Sequence, residues 1–289
     1  MYLGLSCHFV MLAIIRSLQD ISSRNITDSL LASGDWTDEG KIGDLAFYTK
    51  NDLVMAEIPD LHIYRDGLDA DIAKAGWKPD AVIFPSEHAS SSGTPALTVH
   101  PIGNYEDCKL GGREETLVPS APALMSNALR TIKAECRLPE FSICFEATHH
   151  GPYMETPAFF IEIGSDENHW GRKDAADLQA SVIEDFPRGN DYPTVIGIGG
   201  GHYAPRFTEL ALTRKVNFGH MVPNYRTENA TDEAVARMIR QAAEKTGTKA
   251  AFLHRKSMNG PSAARLTSLA ESEGIEVIKK DCFEPLGPE

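Results

Sequence analysis

TDEAVARMIRQAAEKTGTKAAFLHRKSMNGPSAARLTSLAESEGIEVIKK, residues 231–280, switches twice between helical and strand periodicity. Apolar side chains recur at helical spacing over 232–245 and 262–272, and short apolar runs follow at 250–253 and 275–278. Helix, strand, helix, strand in that order implies a sheet that is at least partly parallel, because parallel strands need a crossover of helical length. The alternation continues toward the start of the chain, with strands predicted over 12–15, 45–48, 53–58, 81–84, 96–99, 141–147, 159–163, 194–198 and 216–218. Helices are predicted over 25–32, 122–134 and 175–185. The runs 45–48 and 53–58 lie close together across Lys50, Asn51 and Asp52, as an antiparallel hairpin would. The fold class predicted is α/β, a three-layer α/β/α arrangement around a mixed, largely parallel central sheet. Residues 11–289 are read as a single domain and 1–10 as an N-terminal extension. Met11 is an alternative start to Met1, since 12–15 reads as a first core strand and 1–10 has no clear partner pattern.

The chain carries 28 Lys and Arg against 41 Asp and Glu, a net charge of -13. That balance argues against a sequence-independent grip on long phosphate backbone, so DNA is not an expected partner and any nucleic acid would be held locally. Cys7, Cys108, Cys136, Cys144 and Cys282 are odd in number and form no CxxC pair, so neither a disulfide framework nor a cysteine zinc site is indicated, and a reducing cytoplasm fits. Cys144, in an apolar run, reads as a small core residue. The first fifteen residues are apolar but lack a basic n-region and a cleavage site, and Arg16 ends them too early to span a membrane. A soluble protein is expected.

Seven of the 10 histidines follow or adjoin a predicted strand: His88, His100, His149, His150, His202, His220 and His254. In open α/β sheets ligands bind beyond the carboxyl ends of strands, where residues far apart in sequence converge. Alone, His8, His62, His169 and His254 read as ordinary surface or core imidazoles. Imidazole suits zinc, and histidine with a carboxylate and an open water position is the usual catalytic arrangement. No HExxH helix is present, so ligands would come from separate loops. His149 and His150 precede Gly151 and Pro152, where the chain must turn. Neighbours in extended backbone point opposite ways, so one can face the site while the other braces the loop; the spacing leaves open which. Glu162 lies inside the apolar run 159–163, where an unpaired carboxylate is costly, so it is a ligand, a general base or the partner of a cation. Gly199, Gly200 and Gly201 follow strand 194–198 and lead to His202, Tyr203 and Arg206. They allow close approach of a ligand or aim N–H groups at an oxyanion. They form neither a Walker loop nor a GxGxxG fingerprint.

Four longer stretches carry a resemblance: SEHASSSGTPALTVHPIGN at 86–104, FEATHHGPYMETPAFFIEIGS at 145–165, GIGGGHYAPRFTELAL at 197–212 and FGHMVPNY at 218–225. In content and order they resemble the archaeal and plant D-aminoacyl-tRNA deacylase family, over about residue 11 to the last strand. Over 21–78 and in the last helix and strand the match is mostly one of element pattern. The resemblance implies a fold related to peptidyl-tRNA hydrolases and nucleoside phosphorylases, zinc at two ions per subunit, and hydrolysis of the ester joining a D-amino acid to tRNA. On that basis zinc is expected among His88, His100, His149, His202 and His220, proton transfer at Glu162, His150 or His202, and contact with the oxyanion or terminal phosphate at Gly199, Gly200 and Gly201. The expected partner is the 3′ acceptor end of D-aminoacyl-tRNA, met by a cytoplasmic monomer. Arg206, Arg214 and Lys215 are candidates for a small basic mouth, and Tyr203 and Phe218 for stacking on the terminal base, with core packing the main role for Phe218. The rival readings are a zinc hydrolase or phosphorylase acting on another small substrate, and a non-catalytic tRNA-end binding module. Substrate assay separates the first; metal content with single-turnover ester cleavage separates the second.

Overall fold

The computed structural model describes residues 10–91 and 93–287, so most of the expected extension at 1–10 lies outside the described residues. In chain order the first half comprises β1 (Leu12–Ser17), α1 (Ile21–Ala32), β2 (Thr37–Ile42), β3 (Leu45–Lys50), β4 (Leu53–Ile58), α2 (Leu68–Lys74), β5 (Ala81–Ala89), β6 (Ala96–Pro101), β7 (Gly103–Asn104), β8 (Thr116–Leu117) and α3 (Pro122–Glu135). The second half comprises β9 (Ser142–Phe145), β10 (Ala158–Ser165), α4 (Glu167–Trp170), α5 (Lys173–Asp185), β11 (Thr194–Ile198), α6 (Pro205–Thr213), β12 (Asn217–Val222), α7 (Asn224–Thr227), α8 (Asp232–Thr246), β13 (Ala250–Leu253), α9 (Gly260–Ser272) and β14 (Glu276–Val277). Local chemistry sets several ends: Asp20 caps α1 by accepting from Ser23 N–H, Thr231 caps α8, and Gly247 closes α8 in the left-handed conformation at φ 73°.

The mixed, largely parallel strand arrangement expected is present, divided between two main sheets. The larger has eight strands in the order β2-β3-β4-β1-β5-β10-β6-β9, and the smaller has four, β12-β11-β13-β14. Strands β4, β1, β5 and β10 are mutually parallel, β2-β3-β4 is an antiparallel meander that includes the expected hairpin, and β6 runs antiparallel to β10 with β9 parallel to β6. All pairings of the small sheet are parallel. The sheets approach where Thr148 N–H donates to Met221 O at 3.3 Å.

Alternation along the strands separates the cores. Leu12, Ile14, Leu53, Met55, Ala81 and Ile83 pack beneath α1, while Ala13, Ile15, Val54, Ala56, Val82 and Phe84 face the opposite side with Leu68 and Ile72 of α2. Helices α8 and α9 cover one face of the small sheet through Val235, Met238, Ile239 and Leu266. Its other face, with Val195, Phe218 and Phe252, joins the first core through Phe207 and Leu210 of α6. The short elements β7, β8, α4 and α7 have no counterpart in the sequence reading, and neither do three longer ones. Strand β2 is fully exposed and polar, so it shows no apolar period; α2 is short; and α6 begins at Pro205 just beyond the glycine turn. Among the described residues no helix is long and apolar enough to cross a membrane.

Candidate metal centre

The site occupies the face of the large sheet that carries Phe84 and Phe160, not the space beyond one edge. Strand β10 supplies Phe160 and Glu162 to that face, two residues apart. On one side β5 brings His88 opposite Gly164, and on the other the reversed β6 brings His100 opposite Phe160. Because β5 and β6 run in opposite directions, their two terminal histidines bracket Glu162 along β10. A Cβ on Gly164 would lie 2.7 Å from the His88 ring, so glycine is required there for the imidazole to lie flat against β10. His100 stacks on Phe160 with centroids 4.9 Å apart.

From the end of β9 onward, Cys144, Glu146 and Thr148 alternate with Phe145 and Ala147, which turns Glu146 toward the same face. The 202–204 segment then lies along this free edge, with Ala147 N–H donating to His202 O and Ala204 N–H to Phe145 O at 2.8 and 3.0 Å. That pairing sets His202 and Tyr203 beside Glu146. Glu146 is completely buried, and neither carboxylate oxygen has a hydrogen bond among the described residues. Three ring nitrogens face it without hydrogen-bond geometry: His202 Nε2 at 2.9 Å, His88 Nδ1 at 3.2 Å and His149 Nε2 at 3.6 Å. Glu162 lies 3.5 Å from both His88 Nδ1 and His100 Nε2.

His149 and His150 both enter the cluster, which answers the alternative left open by their spacing. His150 has a left-handed backbone, φ 42°, so the extended alternation breaks and both rings turn inward. Their Nδ1 atoms engage Ala147 O and Gly151 O, leaving the Nε2 atoms for the site. Three donor groups result, each with ligand atoms within 4.8 Å of one another: His100, His149 and His150; His88, Glu146 and His202; and His100, Glu146 and Glu162.

Electrostatics divides the histidines. Burial works against a charged His88, but hydrogen bonding and attraction to Glu162 prevail and raise it to about 10; His100 is raised by the same partner against the same penalty. Burial would raise Glu162, yet His100 and His88 hold it well below the usual carboxylate range. Burial followed by repulsion from His100 lowers His149 far down and His150 to about 4. His149 and His150 are therefore neutral and ready to ligate, whereas His88 holds a proton that a metal must displace and His100 is shifted in the same direction.

His88, His100, His149, His150, Glu162 and His202 are thus brought together, and His220 is not. Its ring is buried beneath the site, with Nε2 donating to Val118 O at 2.8 Å and Nδ1 against Thr148 Oγ1 at 3.1 Å. The Gly199 and Gly200 N–H groups are spent inside the protein, on Val222 O and Ser257 Oγ, which leaves neither for an oxyanion; Gly201 is exposed. Tyr203 Oη bonds His88 Nε2 at 2.8 Å, and Arg206 pairs with Glu209 on α6. Arg214 donates to Phe283 O, Lys215 pairs with Glu284, and Phe218 is core. His62 is a core ring against Phe84 and Phe160, His169 bonds Asp166, and His8 lies outside the described residues. Glu146 escaped the sequence reading. Its signal was available in FEATHH, where a carboxylate alternates with Phe145 and Ala147 just as Glu162 interrupts its own apolar run.

The sequence profile described as D-aminoacyl-tRNA deacylase matches residues 75–278. The chain is 34% identical over 278 residues to the D-aminoacyl-tRNA deacylase of Methanosarcina mazei, covering 93% of this chain and 92% of that one. Against the protein of the same name from Thermococcus onnurineus it is 35% identical over 275 residues, covering 93% and 100%. The Methanococcoides burtonii protein of that name is 34% identical over 275 residues, and the chain spans 93% of itself but 56% of that longer relative. A crystal structure of AF0625, a conserved protein of unknown function, superposes with a TM-score of 0.85 at 31% identity, covering 95% of this chain and 98% of that one. A uridine phosphorylase from Schistosoma mansoni reaches only 0.34 at 12% identity, too little to establish kinship.

Proposed function

Because the chain belongs to the D-aminoacyl-tRNA deacylase family, we propose that it hydrolyses the ester between a D-amino acid and the 3′ end of tRNA, releasing both, with zinc in the His/Glu cluster. The observation that carries the metal is Glu146, a completely buried carboxylate with no hydrogen bond among the described residues, faced by three imidazoles. An arrangement this costly is relieved by a cation between the groups. Imidazole and carboxylate donors without cysteine suit zinc, and the donor groups support two ions. His100, His149 and His150 would hold one; His88, Glu146 and His202 would hold the other, with Glu162 between them. His220 is left out of this set.

Bound there, zinc supplies a Lewis acid for the ester carbonyl and a water acidified into the neutral range. The chain does the rest. Glu162, held ionised well below the usual carboxylate range and set between the two donor groups, is the carboxylate placed to take a proton from water. His150, whose Nδ1 engages Gly151 O, presents Nε2 to the first donor group and serves as a ligand. Tyr203 and the part-exposed His202 form the mouth, where the hydrogen bond from His88 Nε2 to Tyr203 Oη orients the ring. Residues 11–289 would act as one catalytic domain, in a cytoplasmic monomer. Matched D- and L-tyrosyl-tRNA, assayed with and without chelator, test this reading. D-ester cleavage that chelator abolishes and zinc restores supports it, whereas equal D and L rates, or full activity in verified metal-free protein, overturn it.

A further inference from the structure

The carboxyl ends of β11, β13 and β14 open on the same side of the small parallel sheet, the edge where α/β sheets receive ligands. A cavity of about 230 Å³ lies there, and its lining includes Arg206, His254, Arg255, Lys256, Lys279 and Lys280. In a chain of net charge -13 this is a marked local excess of cations. Arg255, Lys256 and Lys279 are exposed, and Arg255 also reaches Thr267 Oγ1 at 3.3 Å. Two carboxylates temper the patch: Glu209, which pairs with Arg206 and stands 3.6 Å from Lys280, and the exposed Asp281 beside Lys280. Burial and the neighbouring Arg206 lower His254 below its ordinary value, Glu209 opposes them, and Lys256 adds to the effect.

The loop that lines the cavity packs on the glycine turn that leads to the metal centre. His254 N–H donates to Ile198 O at 2.8 Å, Ser257 Oγ accepts from Gly200 N–H at 2.9 Å, and Asn224 Nδ2 donates to Ser257 O at 2.7 Å. A Cβ on Gly200 would lie 3.3 Å from His254 Nδ1, so the glycine turn packs directly on the basic loop. The turn runs straight into His202 and Tyr203, and Arg206 sits on the first turn of α6 just beyond them. We propose that this basic cavity holds backbone phosphates of the tRNA acceptor end next to the ester, an inference that rests on the proposed deacylase reading. It moves the phosphate contact away from the glycine N–H groups, which are already occupied, and away from Arg214 and Lys215, which are tied to the C-terminal segment.

The test is binding of uncharged tRNA, which needs no turnover. The triple variant Arg255→Glu, Lys256→Glu and Lys279→Glu should weaken binding about tenfold or more and flatten the plot of log affinity against log salt by about 2, near 0.7 per single-strand phosphate lost. A control with the same charge change at exposed Lys41, Lys74 and Lys133 should bind as wild type does. On D-tyrosyl-adenosine, which has no phosphate, the triple variant should keep the wild-type rate, so a folding defect is distinguished by its loss. If the triple-Glu protein proves unfolded, Arg255→Gln with Lys279→Gln gives the same readings at smaller amplitude. Unchanged affinity and salt slope in the variants, or an equal loss in the distant control, overturn the proposal. A wild-type protein that binds tRNA through this patch yet cleaves no D-ester would overturn the deacylase reading alone.

Discussion

Glu146→Gln keeps the shape of the side chain and removes its charge, so it separates a metal ligand from a structural residue. Without metal, the carboxylate attracts His88 at 3.2 Å, worth about 5 kcal/mol at an effective dielectric of 20. It repels Glu162, whose nearest ligand atom lies within 4.8 Å, by about 3.5 kcal/mol on the same scale. Burying the ion costs several kcal/mol more, so the balance favours glutamine in metal-free protein by roughly 1–3 kcal/mol. At about 2.1 cal/mol/K per residue, a chain of 289 residues shifts by roughly 1.6 °C per kcal/mol, so the metal-free variant should melt about 2–5 °C higher than wild type. In zinc the order should reverse, because one ligand of the second ion is gone. Single-turnover cleavage of D-tyrosyl-tRNA should fall by about 10²-fold or more, close to 2.7 kcal/mol of transition-state stabilisation. Thermal unfolding with and without chelator, metal content after dialysis, and a deacylation time course measure all three. A variant that melts lower without metal, holds as much zinc and turns over within a fewfold of wild type would refute the assignment.

Glu162→Gln should lower turnover by about 10²-fold with little change in bound metal if the carboxylate takes the proton, and loss of zinc in step with activity would make it a ligand instead. His202→Ala should lower both zinc and turnover; zinc retained with turnover lost would assign its imidazole to the substrate. His220→Gln should leave metal content and turnover near wild type while lowering Tm, and loss of zinc would return His220 to the ligand set. Burial lowers His220 to about 4, so it stays neutral in the folded chain while the unfolded chain protonates near 6.5. Its share of stability is present above about 6.5 and is lost as pH falls toward 4, and melting of His220→Gln against wild type across that window should show a flatter profile.

Hydropathy periodicity by itself determined the fold class, because a buried helix or strand must repeat its apolar side chains at 3.6 or 2 residues whatever its neighbours are. The strands through Leu12, Leu53, Val82, Phe160 and Ile196 and the helices over α3, α5, α8 and α9 were legible for that reason. Strand β2 was not, since an exposed polar strand is held by pairing to β3 alone. The histidine set was also legible, through imidazoles at strand ends, as was Glu162 through its place in an apolar run. Only the tertiary structure decided how they meet. The reversal of β6 relative to β10 turned an expected convergence beyond strand ends into a cluster on a sheet face, and direction of pairing is a long-range property. The left-handed backbone at His150 brought both rings of the pair inward, and closure of the 202–204 segment on β9 placed His202 beside Glu146. His220 looks in sequence like its ligand-bearing neighbours. Its exclusion depends on Val118 and Thr148, partners 102 and 72 residues away, and contact across such separations leaves no local trace.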